Sequence, residues 1–235
     1  MSETFILELG LKVSPEQEKI LLVRLDCARQ LYNACLSESL RRLKLMKESK
    51  WYQTAAQLPK GKDRSREFKA LNRWFGLTEY DLHSYACVCK NSCCIGNHLD
   101  THTCQKVATR AFTAVQEYML GKRGKPRFKS ENQFNSVESK NNSSGIRWRE
   151  KEVLWSGLKL EARLHPKDKH GVQSHALKHK VKYVRIVRRR IKGRNRFFAQ
   201  LVLKGKPKQK HESGQEKIGL DLGPNTIACV GETDA

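Results

Sequence analysis

Val181-Lys182-Tyr183-Val184-Arg185-Ile186-Val187-Arg188-Arg189-Arg190-Ile191, then Lys192-Gly193-Arg194-Asn195, then Arg196-Phe197-Phe198-Ala199-Gln200-Leu201-Val202-Leu203, is the stretch on which the fold turns. Two runs rich in β-branched and aromatic residues flank a short polar segment containing glycine. That pattern predicts two antiparallel strands joined by a turn at 192–195. Nine of the seventeen residues from Lys180 to Arg196 are Lys or Arg, so one face of this hairpin is strongly cationic.

The same charge dominates the surrounding sequence. The 235 residues carry 46 Lys and Arg against 24 Asp and Glu, a net charge of +22. Residues 1–120 hold 18 basic and 13 acidic side chains, net +5, and residues 212–235 hold 1 and 5, net −4. Residues 121–211 hold 27 and 6, net +21, so nearly the whole excess lies in the middle band. Such a field suits a polyanion or an anionic membrane surface. A membrane surface calls for a basic amphipathic helix; here the densest charge lies on predicted strands, which favours nucleic acid and no membrane partner. No apolar run is long enough to span a bilayer, and Met-Ser-Glu-Thr does not open a secretory signal. The expected location is cytoplasmic and nucleoid-associated.

Upstream, Phe5, Leu7, Leu9, Leu11 and Val13 alternate as on a half-buried strand. Ser14-Pro15-Glu16-Gln17 is a capping-box start. The helix it opens is expected to run to about residue 49, with Leu21, Leu25, Ala28, Leu31, Cys35 and Leu43 inward and Arg24, Arg41 and Arg42 outward. Residues 57–64 read as a loop, followed by helices at 65–74, 79–91 and 97–120, the last stopped by Gly121. Beyond it the period changes. A basic loop spans 121–129, and Ile146–Trp148 and Val153–Trp155 flank a turn. Gly157–Arg163 reads as a strand, residues 165–180 as a loop, and 217–222 and 226–230 as short strands around Gly223-Pro224-Asn225. A lone first strand cannot bury both faces, so it is expected to join the later sheet, making the helices an insertion into a small β-barrel.

Eight cysteines include the cluster Cys87, Cys89, Cys93, Cys94 and Cys104, with His83, His98 and His102 among them. No C-x-x-C pair occurs, and much of the segment is helical, so buried free thiols are expected over a zinc site. Asp221, in Ile218-Gly219-Leu220-Asp221-Leu222-Gly223, ends an apolar strand before a glycine. A carboxylate there suits either a magnesium ligand or a cap on its own turn. Trp148, Trp155 and Tyr183 are read as core residues or base-stacking platforms, and Tyr32-Asn33 as a helix-packing signature.

Five features in order resemble the TnpB (OrfB) family of transposon-encoded RNA-guided DNA endonucleases, relatives of the type V CRISPR effectors. These are the strand leading into Ser14-Pro15-Glu16-Gln17, the helical Ala28-Arg29-Gln30-Leu31-Tyr32-Asn33, and the helix Val107–Tyr118 running into Gly124-Lys125-Pro126-Arg127-Phe128-Lys129. The others are the basic hairpin ending Phe197-Phe198-Ala199-Gln200-Leu201-Val202, and Ile218–Gly223, which is similar to the first motif of a RuvC-like nuclease. The resemblance implies an α+β fold. A wedge-type β-barrel starts at residues 1–13, is interrupted by a helical recognition domain at 14–120, and continues as a basic barrel at 121–211. The first strands of a RuvC-like RNase H domain follow at 212–235.

It also implies guide RNA and target DNA as partners, with base pairing delivering sequence and the protein gripping backbones. Phosphate contacts are then expected from Lys125, Arg127, Lys129, Arg185, Arg188, Arg189, Arg190, Lys192, Arg194 and Arg196. Magnesium is the implied cofactor, with Asp221 its ligand and catalytic residue. The family's further carboxylates and four-cysteine zinc element lie downstream in its pattern and have no counterpart here; Glu232 and Asp234 fall in a polar tail. The expectation is a chain that binds without cutting; the alternatives are a non-catalytic RNA- or DNA-binding protein and a decayed transposase remnant.

Overall fold

A computed structural model describes residues 3–168 and 170–209, and the backbone of residues 218–221 and 229–232. Strand β1 (Thr4–Leu11) alternates as its sequence implies, with Leu9 and Leu11 buried and Phe5 and Leu7 half-buried. At its end the Gln17 N–H donates to Ser14 Oγ, and the Ser14 N–H donates back to the Gln17 side-chain oxygen. With Pro15 in the first turn, this box starts helix α1 (Pro15–Glu48) where the motif puts it. Its stripe Leu21, Leu25, Ala28, Leu31, Cys35 and Leu43 is buried.

Arg24 departs from the expected outward position. It is 6% exposed, and its Nη1 and Nη2 donate to the Trp155 and Ser156 carbonyls at 2.6 Å each. The guanidinium stacks 4.7 Å from the Trp155 ring centroid. An arginine on the core face of α1 thus satisfies two carbonyls at a strand turn, which no aliphatic side chain is able to do.

The chain then forms α2 (Lys50–Gln57), α3 (Lys62–Trp74), α4 (Glu79–Ser92), α5 (Ile95–His98) and α6 (Thr101–Met119). The expected loop at 57–64 shrinks to residues 58–61, since α2 occupies 50–57 and α3 begins at Lys62. The expected helix at 97–120 is split by Leu99-Asp100, because Asp100 caps α6 by accepting from the Thr103 N–H. At the other end Gly121 stands at φ +68°. Its N–H donates to the Tyr118 carbonyl and that of Lys122 to Glu117, closing the helix as a Schellman motif.

The strands that follow are β2 (Ser136–Glu138), β3 (Arg147–Arg149), β4 (Glu152–Trp155) and β5 (Leu158–Arg163). After the short helix α7 (Val172–Leu177) come β6 (Val181–Ile191) and β7 (Arg194–Lys204). The sequence pattern announces neither β2 nor α7; residues 165–180 are not all loop. Seven strands form one antiparallel sheet in the order β2-β6-β7-β1-β5-β4-β3. It curls into a half-barrel, bringing β3 at one end up to β6 near the other. β1 does join the later strands, lying between β7 and β5 with Leu7 opposite Leu201. This makes the fold mixed α+β, with helices α1–α6 inserted in the chain between β1 and β2 of one sheet.

Two-residue turns with both residues at positive φ join β3 to β4 (Glu150, Lys151), β4 to β5 (Ser156, Gly157) and β6 to β7 (Lys192, Gly193). Their hand matches the strand twist, so the turn expected at 192–195 tightens to 192–193. One continuous core joins Leu9, Leu160, Ile186 and Leu201 of the sheet to Leu21, Leu31, Leu82 and Val107 of the helices. β8 (Ile218–Asp221) and β9 (Cys229–Glu232) pair antiparallel, with Asp221 opposite Cys229. Glu232 therefore ends a strand instead of lying in a tail, while Asp234 and Gly223-Pro224-Asn225 lie outside the described residues. Among the described residues no helix is long and apolar enough to cross a membrane.

Candidate nucleic-acid interface

Strand alternation sorts the cations of the β6–β7 hairpin into three environments. Val184, Ile186 and, opposite, Phe197, Ala199 and Leu201 point into the core, and Arg188 falls on that same side. It is 9% exposed. Its Nε and Nη2 donate to Asn135 Oδ1 at 3.0 and 2.6 Å, and its Nη1 and Nη2 donate to the Asn132 side-chain and backbone oxygens at 3.1 and 3.0 Å. Arg188 therefore anchors the segment before β2, with its guanidinium turned to Asn132 and Asn135.

Arg185 and Arg189 lie on the outer face but meet carboxylates there. Arg189 makes a bidentate pair with Glu8 at 2.6 Å for both bonds and stacks 4.7 Å from the Phe198 ring centroid. Its register partner is Arg196, a like-charge pair that would repel. Glu8, one strand over and opposite Gln200, offsets that repulsion. The Arg189 guanidinium holds the Glu8 carboxyl below the usual carboxylate range. Arg185 donates through Nε to Glu138 at 2.7 Å. Burial pushes the Glu138 carboxyl up, but Arg110, Arg185 and Lys106 around it outweigh that and leave it lowered. Arg189 thus braces β6 against β1, and Arg185 braces β6 against β2 beside Lys106 and Arg110 of α6.

The third environment is the hairpin tip. Arg190, Lys192, Arg194 and Arg196 are exposed, and none has a carboxylate partner among the described residues. The tip is held in place from below, where Asn195 Nδ2 donates to Glu18 Oε1 of α1 at 2.7 Å. Four cations at and beside a braced two-residue turn form a point of high positive potential that the protein itself does not neutralise.

The 121–129 loop supplies the second expected group. Lys125 and Arg127 are exposed, and between Arg127 and Lys129 the Phe128 ring is 55% exposed. The Lys129 side chain is only half exposed, and its backbone is clamped. The Asn33 amide accepts from the Lys129 N–H at 2.8 Å and donates to its carbonyl at 2.9 Å, as a neighbouring strand would, and Arg29 adds a third bond. Asn33 thus has a definite task beyond helix packing, while Tyr32 beside it is 6% exposed and packs on Phe134 at 5.7 Å. Arg188 at one side and Asn33 at the other tie residues 129–135 between β6 and α1. A cleft of about 430 Å³ opens there, lined by Arg110, Arg123, Lys129, Gln133 and Asn135.

Of the stacking candidates, Trp155 is core, 1% exposed, its Nε1 donating to Asp100. Trp148 packs against the core, and Tyr183 is half-buried under Lys106. Within the cysteine cluster Cys104 is buried, Cys87 and Cys89 are half-buried, and Cys93 and Cys94 are exposed, so the two last are not the packing residues expected. Burial pushes the Cys104 and Cys35 thiols up to about 12. Among the described residues no three His, Cys, Asp or Glu side chains are placed to hold a metal ion. Asp221 stands at the last position of β8, and its side chain lies outside the described residues.

No protein-family model matches the chain, and no curated protein matches it. Among solved structures it is similar to a chain in a structure titled "Cryo-EM structure of the Cas12f1-sgRNA-target DNA complex", with 13% identity and a TM-score of 0.29. The similarity covers all of this chain and 65% of that one, so the sequence spans about two thirds of that chain's length.

Proposed function

We propose that this chain is a nucleic-acid-binding protein that grips phosphate backbones with the β6–β7 tip and the 121–129 loop. The observation that carries the reading is the partition of the hairpin arginines. Where a cation has a structural task it is matched to Glu8, Glu138 or Asn135, whereas Arg190, Lys192, Arg194 and Arg196 are left without carboxylates at one braced turn. Phosphate contact through such groups gives affinity and salt dependence without base specificity. The ordered motifs that resemble the TnpB family extend the reading to the RNA- and DNA-gripping part of an RNA-guided DNA endonuclease. Magnesium in such enzymes supplies Lewis-acid activation of the phosphodiester. Asp221 is the residue assigned to it here, the described residues do not complete a two-metal site, and no cleavage step is assigned to this chain.

The test is fluorescence anisotropy with labelled RNA and DNA oligonucleotides across a salt series. Binding should weaken by on the order of 1,000-fold between about 50 and 200 mM salt if six or so phosphates are neutralised. It should survive Asp221→Ala. Absent or salt-insensitive binding would falsify the reading, and magnesium-dependent cleavage by this polypeptide, lost in Asp221→Ala, would overturn the binding-only part.

A further inference from the structure

We infer that a cleft between α1, α3 and the end of α6 binds a nucleoside phosphomonoester, either as a free nucleotide or as the terminal nucleotide of a strand. This goes beyond the backbone grip proposed above and stands on other residues. The cleft, of about 600 Å³, opens where α2 and α3 meet the ends of α1 and α6. Its apolar side holds Met46, Met119 and two half-buried rings, Tyr52 and Phe68, which meet edge-on at 5.4 Å. Leu120 beside them is 63% exposed. Lys47, Lys60 and Arg64 line the same cleft, and no Asp or Glu does. None of the three has a carboxylate partner among the described residues. Arg64 Nη1 donates to the Leu58 carbonyl at 3.0 Å, and its guanidinium lies over the Phe68 ring, 5.6 Å from the centroid. Charge and aromatic surface therefore meet in one place.

The acids of α3 lie elsewhere. Asp63 and Glu67 line a different cleft, beside Trp51 and Trp74, and Asp63 pairs there with Arg66 at 3.7 Å. The side bearing Lys60 and Arg64 is thus cationic in its own lining. α3 also begins there, at Gly61, with no side-chain cap, so its first N–H groups add partial positive charge. A phosphodiester inside a strand brings a single negative charge. A phosphomonoester brings about −1.5 to −2 near neutral pH, which suits three cations without carboxylates better. The flat faces of a base suit the rings. Asn72 supplies the remaining argument, since it lines the cleft and its Oδ1 is buried with no hydrogen-bond partner. A base edge carries N–H donors for such an acceptor, and an alkyl chain carries none. The volume falls within the usual span of small-molecule sites, about 300–1,000 Å³.

The test uses the full chain and labelled single strands of about 20 nucleotides that differ only in a phosphate or a hydroxyl at the 5′ or the 3′ end. Adenosine monophosphate and dodecyl phosphate are titrated separately by calorimetry. A terminal phosphate should tighten binding on the order of 10-fold, or adenosine monophosphate should bind by itself. The first result assigns the cleft to strand ends and the second to free nucleotides. Lys47→Ala/Lys60→Ala changes two exposed side chains, so it should keep the melting temperature while removing either effect. A terminal nucleotide that carries the phosphate but no base should gain less. The inference is overturned if neither end gains and the free nucleotide does not bind, or if the gain survives Lys47→Ala/Lys60→Ala. It is equally overturned if dodecyl phosphate binds as tightly as adenosine monophosphate, since the cleft then takes any amphiphilic anion. Hydroxyl-ended strands that fail to bind at any salt would sink the backbone-grip reading, and the free-nucleotide titration would still decide this one.

Discussion

Arg188 and the hairpin tip sit within a few residues of each other, yet substituting them should produce opposite signatures. Arg188→Ala removes four hydrogen bonds from a nearly buried guanidinium to Asn132 and Asn135 and leaves their oxygens without those donors. Hydrogen bonds to a charged group contribute about 1.5–3 kcal/mol each, net of the bonds to water that they replace. These four share two residues and are not independent, so the expected loss is about 2–4 kcal/mol in total. For a chain of this size that corresponds to a fall in melting temperature of about 5–15 °C. The salt slope of nucleic-acid binding, measured well below the melting transition, should not change, because the Arg188 guanidinium is turned inward to Asn132 and Asn135.

Lys192→Ala/Arg194→Ala/Arg196→Ala reverses the pattern. The three side chains are exposed and make no carboxylate contact, so stability should stay within about 0.5 kcal/mol of wild type. The slope of log K against log salt should fall by about one for each phosphate that is no longer neutralised. Thermal unfolding by circular dichroism and anisotropy titrations at several salt concentrations read the two quantities separately. A stable Arg188→Ala protein with a reduced salt slope would refute the partition of the hairpin arginines, and so would a triple variant whose slope is intact.

Glu138 should make the fold acid-sensitive. Its carboxyl is held below its ordinary value of 4.5, so its stabilisation is complete above that pH and is lost as pH falls through the lower folded value. Glu138→Gln should flatten stability against pH in the acid range, and urea melts at several pH values will show whether it does. Asn33→Ala removes both clamps on Lys129 and should cost about 1–2 kcal/mol, with trypsin cutting faster after Arg127 and Lys129; equal cleavage rates would count against the clamp. Gly145→Ala should destabilise by about 1–3 kcal/mol, because φ is +67° there and a Cβ would lie 2.6 Å from Asp100 Oδ1, beside the cap of α6; an unchanged denaturant midpoint would contradict this. Alkylation of native protein at pH 8 should label Cys93 and Cys94 first and spare Cys35 and Cys104 until unfolding, as mass spectrometry of the peptides will report.

Local chemistry was legible wherever a feature depends on neighbours in the chain. The Ser14 box, the Gly121 stop, the alternation of β1 and the β6–β7 pairing all follow from interactions within a few residues, and each stands where the sequence places it. α7 and β2 were not legible. β2 exists because Ser136–Glu138 finds an open edge on β6, a partner about fifty residues away that no local pattern announces. Arg24 shows the same limit, since its helix face invites an outward cation and only the turn at Ser156 supplies the two carbonyls that draw it inward.

The candidate interface divides along the same line. The amino-acid sequence by itself determined that this protein carries a +21 band on predicted strands, because charge and alternation are properties of composition and spacing. Which cations remain free was decided only by the tertiary structure. Arg185, Arg188 and Arg189 look no different from Arg190, Lys192 and Arg194 along the chain. It is the register of β1 and β2 against β6 and β7 that sets Glu8 and Glu138 beside Arg189 and Arg185, and the segment leading into β2 that brings Asn135 to Arg188. A charge is neutralised by what lies a few ångströms away in space, and strand pairing brings together groups that the chain holds far apart.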